Sequence, residues 1–279
     1  MKTSDADGLD MLYKRSVSSV YDTEAFRSLL RDVLHPGGLG LTHRVAEIAG
    51  AEQGSMVLDI GCGDGAACFL FSSVYGCKAT GIDLSERKFV SSRCKAKTEG
   101  LSERVCFIVS DTERLPFHAA CFDIVVSECA FSILPDKVRA AEEIRRVLKP
   151  KGRIVMTDVV CQGGLSRDTG RDDPGGRVMP LIPCLAGAVS LEEYATIFEK
   201  AGLRRSVSED HTVALKEIGY RMALRFGGWR DFLCRLAEQL QSRAPGSDRF
   251  GADGCSLDRT RELLSGSKLG YGLIGMVKP

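Results

Sequence analysis

The sequence lacks a long apolar run, an excess of either charge and any paired-cysteine motif, and it holds only four histidines and one tryptophan. Its first 20 residues, MKTSDADGLDMLYKRSVSSV, contain no apolar stretch of leader-peptide length, and nothing downstream approaches the length of a membrane span, so no leader and no spanning segment are expected. Lys+Arg total 38 against 37 Asp+Glu, a formal charge of +1. Binding nucleic acid means neutralising many phosphates, so a chain without a basic surplus is not expected to bind it. None of the 11 cysteines sits in a Cys-x-x-Cys pair, which excludes a zinc site built from local spacing. An odd number of thiols without a leader predicts a reducing compartment, hence a cytoplasmic protein; the thiols read as packing residues or as ligands assembled in three dimensions, and no metal site is expected. His118, in the loop after Leu115-Pro-Phe117, and His211, in Glu209-Asp-His-Thr212, read as structural residues rather than general bases.

What is present is periodicity, over 279 residues that are enough for a sizeable core. Phe26, Leu29, Leu30, Val33 and Leu34 share one helix face, stopped by His35-Pro-Gly-Gly38, and a short helix carrying Val45 and Ile48 ends at Gly50. Strands are then expected at Met56–Ile60, Lys78–Ile82, Val105–Val109, Phe122–Ser127 and Arg153–Asp158, separated by helical stretches. The clearest of these, Asp136–Leu148, is ended by Lys149-Pro-Lys-Gly152. Such alternation implies an α/β fold, a mostly parallel sheet with helices on both faces and ligands at the carboxyl ends of its strands. Asp59, Asp83, Asp111 and Glu128 all fall at such ends. Beyond Asp158 come a Gly/Pro-rich loop over 163–183, a helix over Ser190–Ala201 with a Ser190/Glu193 capping box, and a strand at Leu203–Val213. Helical patches over 214–268 and a strand at Leu269–Val277 complete a seven-stranded sheet. The expected organisation is an N-terminal helical lid, 1–50, and one domain, 51–279, with a loop insertion at 161–189 and a helical insertion at 215–268. Val20-Tyr21-Asp22 and the segment His35–Thr42 are placed to close over a ligand.

Gly61-x-Gly63-x-x-Ala66 fits the dinucleotide fingerprint, and Asp83 lies 20 residues after Gly63, where an acid takes ribose hydroxyls. Charge argues against a pyrophosphate, because Asp59 precedes the turn and Asp64 lies inside it. Two carboxylates suit a cationic nucleoside such as S-adenosylmethionine. Val57-Leu-Asp-Ile-Gly-Cys-Gly-Asp-Gly65, Gly81-Ile-Asp-Leu84, Ser110-Asp-Thr-Glu-Arg-Leu-Pro-Phe117, Phe122-Asp-Ile-Val-Val126 and Leu148-Lys-Pro-Lys-Gly-Arg-Ile-Val155 resemble, in order, the motifs of class I S-adenosylmethionine-dependent methyltransferases. The resemblance covers about residues 50–160 and implies a Rossmann-like fold. It also implies that Gly61, Gly63 and Gly65 admit the adenosine and methionine parts and that Asp59 orients the amino group. Asp83, with Leu84 beside it, would bind the ribose hydroxyls, Asp111 with Thr112 would reach the adenine edge, and Glu128 would line the methyl-transfer side. The plain structural reading is that some of these acids only cap helices or turns. A nicotinamide-dependent oxidoreductase and an S-adenosylmethionine-binding protein without turnover are the rival classes.

For the acceptor, a small molecule, the cysteines carry the signal. Cys68 follows the glycine turn, Cys129 ends Ser127-Glu-Cys, and Cys184 opens Cys-Leu-Ala-Gly-Ala188. This pattern resembles arsenite methyltransferases and implies three thiols gathered on a soft trivalent centre. The sequence departs from them at Cys62 and Ala66-Ala67, where those enzymes often carry Arg-Asp, and neither Cys234 nor Cys255 has the surroundings of their further cysteine. Leu115-Pro-Phe117 and Leu148-Lys-Pro150 also resemble ubiquinone and menaquinone C-methyltransferases, which leaves a quinone-like ring as the alternative acceptor. Buried free cysteine is commonly only packed, and that is the structural reading of all three.

Overall fold

The computed structural model describes residues 13–14, 17–30, 35–162, 182–243 and 268–279. Seven strands form one sheet: β1 Met56–Ile60, β2 Lys78–Asp83, β3 Val105–Val109, β4 Phe122–Glu128, β5 Leu148–Gln162, β6 Arg204–Asp210 and β7 Lys268–Val277. They lie in the order β3-β2-β1-β4-β5-β7-β6. β1 to β5 pair in parallel, and β7 runs antiparallel to both β5 and β6. The expected mostly parallel seven-stranded α/β sheet is the observed one.

Side chains along a strand alternate between faces, so each buried strand feeds two cores. Val57, Ala79, Phe107, Val126 and Val155 enter one cluster with the helices Gly38–Ala49 and Ala66–Ser73. Leu58, Ile82, Val125, Ile154 and Met156 enter the opposite cluster with the helices Lys137–Val147 and Leu191–Lys200. The Ser190/Glu193 capping box is formed.

Two strands depart most from their expected bounds. The residues Lys149–Gly152 do not lead out of a helix into a turn; they already belong to β5, which runs to Gln162 because β7 pairs with it continuously from Arg153 to Gln162. β6 stops at Asp210, where the Asp210 carboxylate accepts the Thr212 N–H at 2.8 Å and starts the helix Thr212–Phe226. The first predicted helix is seen as Glu24–Leu30, with Val33 and Leu34 outside the described residues. So are 163–181, most of the predicted loop insertion, of which the short helix Pro183–Ala186 is described, and 244–267 of the helical insertion.

The described part of that helical insertion, Thr212–Phe226 and Trp229–Arg243, does not pack on the main cores alone. Ile218, Phe232, Leu233, Leu236 and Leu240 form a third cluster with Val20, Phe26, Leu29 and Leu30 from the N-terminus. Two segments far apart in sequence thus share one apolar cluster. Among the described residues no helix is long and apolar enough to cross a membrane.

Candidate active site

β1 is the point at which the sheet order reverses: β2 and β3 lie on one side of it and β4 and β5 on the other. A crevice must open beyond the carboxyl ends of β1 and β4. The glycine turn after β1 floors it, with left-handed φ of +66° at Gly61, +56° at Gly63 and +80° at Gly65. A Cβ on Gly61 would stand 2.5 Å from the Ala130 Cβ, and one on Gly65 would run into the Phe107 ring. The turn is tied to β2, since the Cys62 N–H donates to the Ile82 carbonyl at 2.9 Å and the Gly63 N–H to the Asp83 carboxylate at 3.1 Å. Gly65→Ala therefore combines positive-φ strain with a clash. It is expected to destabilise the fold by about 2–4 kcal/mol, read as a shift in the urea midpoint.

Strand alternation also sets the electrostatics. Asp59, Asp83 and Glu128 share the parity of Val57, Ala79 and Val126, so all three acids emerge on one face. Asp59 is 3% exposed, accepts the Cys68 thiol at 3.4 Å and forms no ion pair with any described cation. Burial, and after it repulsion from Glu128, pushes its pKa up to about 8. Burial likewise raises Glu128, while His35, 3.5 Å away, and the Thr42 hydroxyl, 3.1 Å away, act in the other direction. A pair of desolvated carboxyls beside a glycine cradle is a donor set for a cation.

A cleft opens above them, its non-protein space amounting to about 850 Å³ with open solvent included. Of the residues singled out from sequence, Gly61, Gly63, Asp83, Leu84, Asp111, Thr112, Glu128 and Cys129 line it. Asp59 and Gly65 stand behind that wall. Asp83 accepts the Ser85 N–H at 2.9 Å and faces the Lys88 ammonium at 3.5 Å. Asp111 accepts the Glu113 N–H at 3.0 Å and the Lys14 ammonium at 2.8 Å, and Lys14 also reaches Glu113 at 2.6 Å. Lys14, Val17, Ser18 and Tyr21 complete the lining from the N-terminal segment, with Tyr21 the residue of Val20-Tyr21-Asp22 that lines it, and His35 and Thr42 meet Glu128 beneath it. Lys14 and Lys88 were not apparent in sequence, because nothing local distinguishes them from surface lysines. Neither His118 nor His211 lines the cleft, and His211 Nε2 lies 2.9 Å from Glu209.

The three cysteines do not gather. Cys68 points from the first turn of the helix Ala66–Ser73 against β2, where its Sγ and that of Cys62 flank Gly81. Cys129 and Cys184 lie elsewhere: Cys184, with burial, raises the Cys129 thiol, and the Cys184 N–H donates to Tyr21 Oη at 3.2 Å. The face of its helix turns Cys68 toward Asp59 and away from that pair. Among the described residues no three His, Cys, Asp or Glu side chains form a group able to hold a metal ion.

Residues 51–202 match the family described as a methyltransferase domain. The 27-O-demethylrifamycin SV methyltransferase of Amycolatopsis mediterranei (strain S699) is 27% identical over 98% of this chain and 94% of its own length. The arsenite methyltransferase of Halobacterium salinarum is 29% identical over 59% of this chain and 41% of its own. The fold is shared with phosphoethanolamine N-methyltransferase 2 of Haemonchus contortus, solved with S-adenosyl-L-methionine, at a TM-score of 0.69 and 20% identity over 96% of this chain and 60% of that one.

Proposed function

The chain belongs to the S-adenosylmethionine-dependent methyltransferases, and on that premise we propose that its acceptor is a hydroxyl on a small, largely apolar organic molecule. The cofactor, when bound, supplies a methyl group carried on a sulfonium. The observation that supports its fit is the buried Asp59 carboxyl, pushed up to about 8 beside Glu128 with no cationic partner among the described residues. In this reading Asp59 and Glu128 orient the amino group over Gly61, Gly63 and Gly65. Asp83 and Leu84 hold the ribose, and Asp111 and Thr112 meet the adenine edge. Residues 1–50 act as a lid whose described latches are Lys14 on Asp111 and Glu113 and Arg27 on Asp64 at 3.3 Å.

Methyl transfer is an in-line displacement, so the protein's contribution is alignment of donor and nucleophile in a site that excludes water. Ala130, Ile133, Leu134, Val17 and Tyr21 form an apolar wall suited to that task. The acceptor class rests on this wall and on the likeness to a rifamycin O-methyltransferase, which spans both the N-terminal and the late helical segments. Arsenite is the second reading, favoured by Cys129 on the cleft wall with Cys184 near enough to raise its thiol.

Transfer of label from methyl-labelled S-adenosylmethionine to a panel of apolar alcohols, phenols, quinols, amines and arsenite tests both readings. Labelled ethers support the proposal. Arsenite-dependent turnover that Cys129→Ser and Cys184→Ser abolish, and Cys68→Ser retains, replaces it with the metalloid reading. Cofactor binding with no transfer to any acceptor overturns both.

A further inference from the structure

The helix Thr212–Phe226 is apolar on two opposite faces. Leu215 turns inward onto a sheet core, and Ile218, Met222 and Phe226 onto the cluster shared with the N-terminus. At about 100° per residue, Val213, Tyr220 and Leu224 fall on the far side, where they are 69%, 71% and 89% exposed. Single exposed apolar side chains are ordinary, but three aligned on one helix mark a contact surface. With the exposed Glu217 between them, these positions follow one another at spacings of four, three and four, the seam of a coiled coil. Lys216 flanks the seam on one side and Arg221 on the other. Neither Glu217 nor Arg221 has an ion-pair partner among the described residues.

We propose that this face pairs with its own counterpart in a second copy of the chain, the two helices lying antiparallel about a two-fold axis. The seam is self-complementary in that arrangement. With the axis at the level of Ile218 and Gly219, Val213 faces the second copy's Leu224 and Glu217 faces its Tyr220, and each pairing recurs across the axis as a two-fold contact requires. Glu217 then accepts the second copy's Tyr220 hydroxyl. Whichever way its carboxylate leans, it meets a cation, Lys216 or Arg221, on the flank of the opposing seam. Parallel pairing would set Glu217 against Glu217, and that repulsion selects the antiparallel register. A purely apolar partner would leave Glu217 buried without a counter-charge. The seam is short, less than the roughly 800 Å² per partner of a standard interface, so the dissociation constant is expected to be on the order of 10 µM. None of these residues lines the cleft, so pairing leaves cofactor binding as it is.

Sedimentation equilibrium of the full chain from about 1 to 200 µM tests this. The expected result is a reversible monomer–dimer equilibrium that Tyr220→Glu and Leu224→Glu each weaken at least about tenfold. Val90→Glu, at a side chain 66% exposed on the helix Glu86–Thr98, should leave it unchanged. S-adenosylhomocysteine affinity within about twofold of wild type confirms that each variant is folded. Positions 213 and 224 stand about 16 Å apart along one helix, so a disulfide between them can only join two chains. Mild oxidation of Val213→Cys/Leu224→Cys, followed by digestion and mass spectrometry, should yield that 213–224 bond. A monomer across the whole range overturns the proposal, as does a dimer that both glutamate variants leave intact. Bonds of 213 to 213 and 224 to 224 in place of 213 to 224 overturn the antiparallel arrangement.

Discussion

Asp83→Ala is expected to weaken S-adenosylmethionine binding by about 100- to 1,000-fold, the effect of losing several charge-assisted hydrogen bonds at about 1.5–3 kcal/mol each. Asp83 has two tasks. In the proposed complex it accepts the ribose hydroxyls. In the protein itself it receives the Gly63 and Ser85 N–H groups, at 3.1 and 2.9 Å, and so fastens the glycine turn to the start of the next helix. Alanine removes both, and leaves the Lys88 ammonium, 6% exposed, with Asp22 at 3.9 Å as its remaining carboxylate. Titration calorimetry gives the affinity and thermal melting reports the loosened turn. Asp83→Asn keeps an oxygen for the Gly63 N–H and should fall between wild type and alanine. An unchanged dissociation constant in Asp83→Ala would place the ribose elsewhere.

Affinity for S-adenosylhomocysteine, which keeps the amino group and lacks the sulfonium, is expected to rise with pH between 6 and 7.5 by up to about tenfold per unit. The sign follows from Asp59. Its folded pKa, raised to about 8 from 3.8, leaves it mostly protonated at neutral pH. A cationic amino group is held by the ionised form, so binding must expel the proton, at a cost that shrinks as pH climbs toward 8. The same shift sets the ligand-free stability. Below about pH 4 both folded and unfolded chains hold the proton and Asp59 has no effect. As pH rises from there to 8 the unfolded chain releases it while the folded chain retains it, so folding stability falls. The thermal shift produced by the ligand should accordingly be larger at pH 7.5 than at pH 6. Asp59→Asn should flatten both profiles and weaken binding at pH 7.5. A wild-type affinity that is flat across this range would mean that Asp59 does not meet the amino group.

The parts of the fold read correctly from sequence are those whose cause is local. Met56–Ile60 and Val105–Val109 are bounded as their apolar runs suggest, and the Ser190/Glu193 box stands where its spacing places it. The glycine turn is equally local, because only residues tolerant of positive φ can make it. Even the convergence of Asp59, Asp83 and Glu128 follows from strand parity and parallel order. What could not be read depends on partners distant in sequence. The length of β5 is set by β7, more than 100 residues later. The place of Cys68 is set by which way one helix turn faces, and spacing along the chain does not record that. Lys14 becomes part of the cleft only because the N-terminal segment lies across Asp111 and Glu113.

The sequence by itself determined the order of strands and helices, the glycine cradle and the acids at the strand ends, since backbone sterics and side-chain alternation act within a few residues. Only the tertiary structure decided what those acids experience and what covers them. A pKa near 8 at Asp59, a core cluster shared between the N-terminus and the Thr212–Arg243 helices, and a Cys68 turned toward Gly81 and Asp59 are products of burial and packing between segments far apart in the chain.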